Sequence, residues 1–408
     1  MRKILVFIYC AVTVCSAHSQ KKTFDYSFYG FLRGDLYYNT RNNVEVVDGL
    51  FYLYPADVSP DADGKDLNAM SNGSFYTFTT RLGMDMKGPD VGAAKTSAKI
   101  ETDFGGTTNL NFVLRLRQAY LKFDWQKGSS LILGQTWHPL FGEVVPDVLN
   151  LATGAPFQPF NRSPQINYQY RKNGLKITAS AVYQLIYTSQ GIDGKSEKYL
   201  KDGVLPEFYL GADYRKGSAV IGAGIDFISL KPRTASSYSG NIYRVDERIS
   251  SFSYELHAGY SVENLRISGK TVLASNLTHA TMFGGFGVTG IDKRTGEQEY
   301  TPFRNSTSWL NLVYGKTYQA GVFAGYTKNL GTRKELVDPT KIYGMGLNID
   351  QFVNLSFYLR YALPHWNVGL GYTMATAGYG NTDLSTGKCV DTHDVTNHRI
   401  ESLFTYYF

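Results

Sequence analysis

The chain has 408 residues, with 41 Lys and Arg against 35 Asp and Glu for a formal charge of +6, and 14% of it is aromatic, including 31 Tyr and 24 Phe. Mean hydropathy is only −0.24, and after the N-terminal segment no apolar run approaches the roughly 20 residues of a spanning helix, which excludes a helical membrane protein. An aromatic-rich yet polar chain is what alternating strands produce when every second residue meets water.

At the N-terminus, Arg2 and Lys3 precede an apolar run over 4–14, followed by small and polar residues ending Ala17-His18-Ser19-Gln20. This pattern predicts a secretory signal over 1–19, cleaved before Gln20. Cys15 raises a lipoprotein reading, but Val12, Thr13 and Val14 lack the Leu-small-small pattern that precedes a lipidated cysteine. Removal of the signal leaves 39 basic against 35 acidic residues, a small excess that leans toward anions. It also leaves Cys389 as the sole cysteine, so neither an intramolecular disulfide nor a cysteine metal cluster is expected.

A two-residue period then returns along the whole chain. The first strand, 24–38, sets Phe24, Tyr26, Phe28, Leu32, Leu36 and Tyr38 on one parity and Asp25, Ser27, Arg33 and Asp35 on the other. Comparable segments follow at 75–86, 95–104, 110–125, 131–137, 164–170, 175–187, 207–215, 219–230, 250–262, 265–273, 308–314, 318–327, 352–361, 366–374 and 399–408. The reading is all-β: a transmembrane antiparallel β-barrel of about sixteen strands, one domain over 20–408, with both termini on the periplasmic side. Short polar turns at 171–174, 215–218 and 262–264 alternate with long segments at 39–72, 231–247, 276–305 and 375–397, which are expected to be extracellular loops. Only Lys21 to Thr23 lie between the expected mature start and the first strand, which leaves no plug domain.

The fourth segment changes parity partway. Arg115 and Arg117 oppose the apolar residues before Gln118, whereas Ala119, Leu121, Phe123 and Trp125 take the other parity beyond it. A bulge near Gln118 would restore a continuous apolar face, and a subunit contact that tolerates an irregular face is the alternative.

If the apolar parity faces lipid, Arg33, Arg81, Arg115, Arg117, Arg171, Arg266 and Lys270 point into the lumen with Asp35, Glu101 and Asp103. Solvated charge is ordinary in a water-filled barrel, but clustered arginines facing fewer carboxylates would bias permeation toward anions. The segment 138–163 is more apolar than an exposed loop should be, carrying Phe141, Val144, Val145, Leu149, Leu151, Phe157 and Phe160. Folded into the barrel, it would bury these side chains, narrow the pore and turn Glu143 and Asp147 toward the arginines. The competing reading is an outer cap or subunit-contact loop.

The last strand, RIESLFTYYF (399–408), places Ile400, Phe404, Tyr406 and Phe408 on one face and Arg399, Glu401, Thr405 and Tyr407 on the other. Phe404, Tyr406 and the terminal Phe408 resemble the signal read by the machinery that inserts outer-membrane barrels.

The stretches LRLRQAYLKF (114–123), GQTWHPLF (134–141) and RSPQINYQYR (162–171) resemble core blocks of Gram-negative outer-membrane porins, nearest the DcaP-like trimeric porins. The resemblance implies a sixteen-stranded homotrimeric barrel with an inward third loop, and passive passage of small polar or anionic solutes such as dicarboxylates. It implies a constriction involving Arg115, Arg117, Glu143 and Asp147. The implied setting is the outer membrane, with its lipid and lipopolysaccharide and the barrel-assembly machinery as partners, and no nucleic acid and no cofactor. Some members carry an N-terminal coiled-coil extension that this chain lacks.

Other motifs carry less. The G-x-G-x-x-G match at 285–290 lies in a predicted loop without a βαβ unit. Asp61 and Asp63 approximate the opening of a calcium loop, but Ser59 replaces the first Asp and Met70 stands at the bidentate Glu position. His393 and His398 are too loosely spaced to argue a metal site. Two function classes remain, a diffusion channel and a barrel enzyme with His257, near Glu255, as general base. Within the channel class a sugar-selective pore is the alternative, with Tyr29, Phe31, Tyr37 and Phe323 on the lumen parity.

Overall fold

The computed structural model describes residues 24–47, 49–105 and 113–408. The expected signal segment and the first residues of the predicted strand at 110–125 lie outside the described residues. Sixteen wall strands follow one another, each antiparallel to the last: β1 (Asp25–Asn39), β2 in two pieces (Asn72–Tyr76 and Arg81–Lys87), β3 (Ala94–Asp103), β4 (Arg115–Trp125), β5 (Ser129–Trp137), β6 (Arg162–Lys172), β7 (Leu175–Val182), β8 (Glu207–Lys216), β9 (Ala219–Leu230), β10 (Ile249–Val262), β11 (Leu265–Ser275), β12 (Arg304–Tyr314), β13 (Tyr318–Gly331), β14 (Ile349–Ala362), β15 (Trp366–Thr382) and β16 (Cys389–Tyr407). β16 pairs with β1 from Phe31↔Tyr407 to Asn39↔Arg399, which closes the sheet on itself and leaves no free edge.

Side-chain alternation decides which face each residue takes. In β10 Ser251, Ser253, Glu255 and His257 are buried, whereas Phe252, Tyr254 and Leu256 between them are half exposed. This inversion of the usual soluble pattern puts apolar side chains outside and polar ones inside, as hydrocarbon outside and water inside require. Phe404, Tyr406 and Phe408 stand on the outer face with Tyr26, Phe28 and Leu32. Among the described residues no helix is long and apolar enough to cross a membrane.

The short-turn end is built from tight hairpins. Between β6 and β7, Asn173 and Gly174 both take positive φ, 50° and 83°, the geometry in which an Asn-Gly pair matches the twist of two strands. The parity change in β4 is a bulge. Glu101 pairs with Gln118 and Thr102 with Leu116, which leaves Arg117 as the extra residue. Arg117 and Gln118 consequently both lie buried on the inner side, and Leu116 and Leu121 both face out.

The long-loop end departs from the sequence reading in three places. The segment 375–397 is not a loop, because β15 runs on to Thr382 and β16 starts at Cys389, so that only 383–388 connects them. The G-x-G-x-x-G segment is a strand, Gly284–Ile291, paired with Gln298–Pro302 and Ile342–Met345. Gly285 there has φ 145°, and a Cβ would stand 2.0 Å from the Tyr343 carbonyl oxygen, so glycine serves close strand approach. Finally, the predicted strand at 175–187 ends at Val182, where β7 stops.

The first long loop also turns inward. Its hairpin Asn43–Val46 and Phe51–Pro55 sets Leu50, Phe51, Leu53 and Tyr54 into an interior cluster with Phe160, Phe283 and Phe352. Phe51 meets Phe160 edge-on at 4.9 Å, and Tyr379 donates to the Pro55 carbonyl at 2.7 Å.

Candidate functional site: the charged lumen around the third loop

The loop after β5 crosses the barrel. Phe157 stacks on Phe352 at 5.0 Å and meets Phe323 of β13 at 6.0 Å, while Gln158 accepts from the Trp309 indole of β12 at 3.0 Å. Arg33 of β1 donates to the Leu149 carbonyl at 2.8 Å, and Tyr358 of β14 donates to the Asp147 carbonyl at 2.7 Å. Lys270 of β11 caps the start of the loop by donating to the carbonyls of Leu140 and Phe141 at 2.7 and 2.9 Å. Of the apolar side chains that made 138–163 unusual, Val144, Leu149, Phe157 and Phe160 are therefore buried inside the barrel, and Phe141 and Leu151 are half-buried against them. Phe157 and Phe160 are 1% and 2% exposed.

The charged residues divide into two groups. The first is a buried network on β1 to β4. Arg33 pairs with Asp35, which also accepts from Thr79 at 2.9 Å. Arg115 and Arg117 both bind Asp103, at 2.7 and 2.6 Å, and Arg117 reaches Glu101 at 2.9 Å. Arg81 stands 3.8 Å from Glu101 and over the Phe31 ring. In this network each arginine has a carboxylate within reach, and the geometry is bidentate at Arg115.

The second group surrounds the loop carboxylates, and Arg171, Arg215 and Arg266 in it are open to solvent whereas Lys176 and Arg360 are largely buried. Glu143 accepts from Arg171 of β6, Lys176 of β7 and Arg215 of β8 at 3.1, 3.0 and 3.2 Å. Asp147 accepts from Arg266 of β11 and Arg360 of β14 at 2.8 and 2.7 Å. Lys176 also lies 3.5 Å from Asp213, which joins Glu255 in holding His257 at 2.8 Å on each ring nitrogen. Around the loop, five cations thus face Glu143, Asp147 and Asp213. Burial pushes the Glu143 carboxyl up, but the ammonium of Lys176 and then Arg215 and Arg171 outweigh it and hold the group below the usual carboxylate range.

The structure therefore does not bring Arg115 and Arg117 to Glu143 and Asp147. The wall carboxylates Asp103 and Glu101 take those two arginines, and the loop carboxylates find Arg171 and Arg266 instead, with three cations that the sequence reading did not single out: Lys176, Arg215 and Arg360. All three sit on the inward parity of their strands. Asp61 accepts from the backbone N–H of Asp63 and Lys65 at 2.8 Å each, which fastens a tight turn in the first loop. His393 pairs with Asp57, and His398 with Tyr372, at opposite faces of β16.

No family model matches this chain, and no curated protein does. Solved structures do, and they define the class: the fold is that of the outer-membrane porins. The outer membrane channel DcaP of Acinetobacter baumannii superposes with a TM-score of 0.68 at 17% identity, covering 96% of this chain and 99% of that one. The trimer form of OmpT, an outer membrane protein of Vibrio cholerae, gives 0.55 at 11% identity over 95% and 100%. An anion-selective porin from Comamonas acidovorans gives 0.54 at 11% identity over 95% and 100%.

Proposed function

We propose that this protein is a passive diffusion channel of a Gram-negative outer membrane, passing small hydrophilic solutes with a preference for anions such as dicarboxylates. The observation that carries the reading is the imbalance around the third loop, where five cations face three carboxylates in a passage lined by solvent-exposed Arg171 and Arg215. Fixed positive charge in a narrow aqueous passage raises the local concentration of anions and lowers that of cations. The anion-selective porin among the structural neighbours supports the same reading.

Two competing readings fit the lumen less well. A sugar-selective pore needs exposed rings to stack on, yet Tyr37 and Phe323 are buried in the interior cluster and Tyr29 is tied to Glu101 at 3.0 Å. A barrel enzyme needs a histidine with a free nitrogen facing a nucleophile, and carboxylates occupy both nitrogens of His257.

In this reading the outer aromatics meet lipid and lipopolysaccharide, Phe404, Tyr406 and Phe408 present the insertion signal to the barrel-assembly machinery, and three copies associate as in the trimeric neighbour. Liposome swelling tests the channel. Proteoliposomes are expected to swell in small neutral and anionic solutes, faster in a dicarboxylate than in a sugar of similar size, and no swelling in any solute would refute it.

A further inference from the structure

A second cluster lies at the root of the third loop, on the side away from the exposed cations. His138, where that loop leaves β5, and His279, in the loop after β11, bring Nε2 to within 3.0 and 2.9 Å of Oε1 of Glu207, the first residue of β8, and of the two only His279 has the geometry of a hydrogen bond. All three side chains are buried, and one ligand atom from each lies within 4.8 Å of the others. Asp226 of β9, fully buried, stands against Glu207, and no donor group reaches either Asp226 oxygen or Glu207 Oε2. Among the described residues no Lys or Arg forms an ion pair with either carboxylate, and the only cation-capable groups on Glu207 are the two imidazoles. Three carboxylate oxygens without a donor and two imidazole nitrogens thus converge in one buried site, a donor set that a single divalent cation would satisfy.

We propose that His138, Glu207 and His279 bind one transition-metal ion of the Zn²⁺ class, with Asp226 as the additional carboxylate behind Glu207. Two imidazole nitrogens and a carboxylate suit Zn²⁺ or its neighbours rather than Ca²⁺ or Mg²⁺, which take oxygen ligands. His279 Nδ1 has no hydrogen-bond partner, so its ring proton can sit there while Nε2 coordinates. His138 Nδ1 accepts from the Leu140 N–H at 3.2 Å, so loading moves its ring proton from Nε2 to Nδ1 and gives up that contact. Because the ligands come from the loop root, the wall and the loop after β11, the ion fastens the base of the third loop to the barrel. His279 and Thr278 also line a cavity of about 320 Å³ shared with Arg115 and Lys195.

The test uses the full chain, folded in detergent and checked by heat-modifiable gel migration, stripped with chelator and titrated with ZnCl₂ by calorimetry. The expected result is one Zn²⁺ per chain, with affinity reduced about tenfold or more in His279→Ala and Glu207→Gln and unchanged in His393→Ala, which removes an exposed histidine. Should the Glu207 variant fail to fold, Co²⁺ bound to the wild-type chain gives the second readout, visible d–d bands that vanish on adding Zn²⁺. Wild-type protein that binds no Zn²⁺ and shows no Co²⁺ bands would overturn the proposal. So would binding that His279→Ala leaves intact or that His393→Ala removes.

Discussion

Phe408 and Gly30 exchange two backbone hydrogen bonds of 3.2 Å, and the Phe408 ring lies where a side chain on Gly30 would stand. A Cβ there would come within 2.8 Å of Phe408 Cζ and 2.4 Å of the Arg81 carbonyl oxygen. The same device recurs one step along, where Phe404 covers Gly34. The last residue of the chain therefore closes the barrel through both its backbone and its ring. Gly30→Val is expected to cost about 2 kcal/mol through overpacking at the seam, read as a lower folded fraction on semi-native gels. Wild-type folding of that variant would show that the seam does not depend on this contact.

Arg117 separates stability from selectivity. It is 4% exposed and holds Glu101 and Asp103 together, so Arg117→Ala leaves two buried carboxylates short of a partner and is expected to cost about 3 kcal/mol. Because the group is sealed from the permeation path, ion selectivity should stay within error of wild type. A large change in selectivity with unchanged denaturation midpoint would place Arg117 in the pore instead.

Phe157 is the hydrophobic peg of the third loop. Truncation to Ala removes its stacking on Phe352 and its contact with Phe323, an expected loss of about 3–5 kcal/mol. With the loop loosened, single-channel conductance should rise and become noisier. A destabilised protein with unaltered conductance would mean that the loop does not set the narrowest point.

The pH dependence follows from Glu143, whose carboxyl is held below its ordinary range by the cations around it despite partial burial. A group with a depressed folded value keeps its attraction to those cations at every pH above the ordinary carboxylate value, about 4.3, and loses it as pH falls through the lower folded one. Reversal potentials should be flat from pH 7 to pH 5 and become more anion-selective only in more acidic solution. A transition centred at or above the ordinary value would mean that Glu143 is not paired as described.

The wall was legible from residues alone because lipid enforces the period: β10 alternates Phe252, Tyr254 and Leu256 with Ser253, Glu255 and His257, and no soluble arrangement favours that pattern. Above the membrane belt the constraint lapses. Gly378 and Gly380 interrupt the apolar period of β15, and the exposed polar run Asp391 to Asp394 that of β16, so the alternation fades and the hairpin reads as a loop. The inward first loop had a signal in its apolar run FYLYP at 51–55, which an exposed loop would not carry. The partners of Glu143 had a weaker one. Lys176 and Arg215 are on inward parity, but they lie 33 and 72 residues away, and only the closed barrel shows that both reach the same carboxylate.

Reversal potential across a planar bilayer under a KCl gradient tests the central claim most directly, measured on wild type, Glu143→Gln and the double variant Arg171→Glu/Arg215→Glu. An anion-selective wild type is predicted, with selectivity strengthened in Glu143→Gln and weakened or reversed in the double variant. A cation-selective wild type, or a folded protein with no conductance, would contradict it.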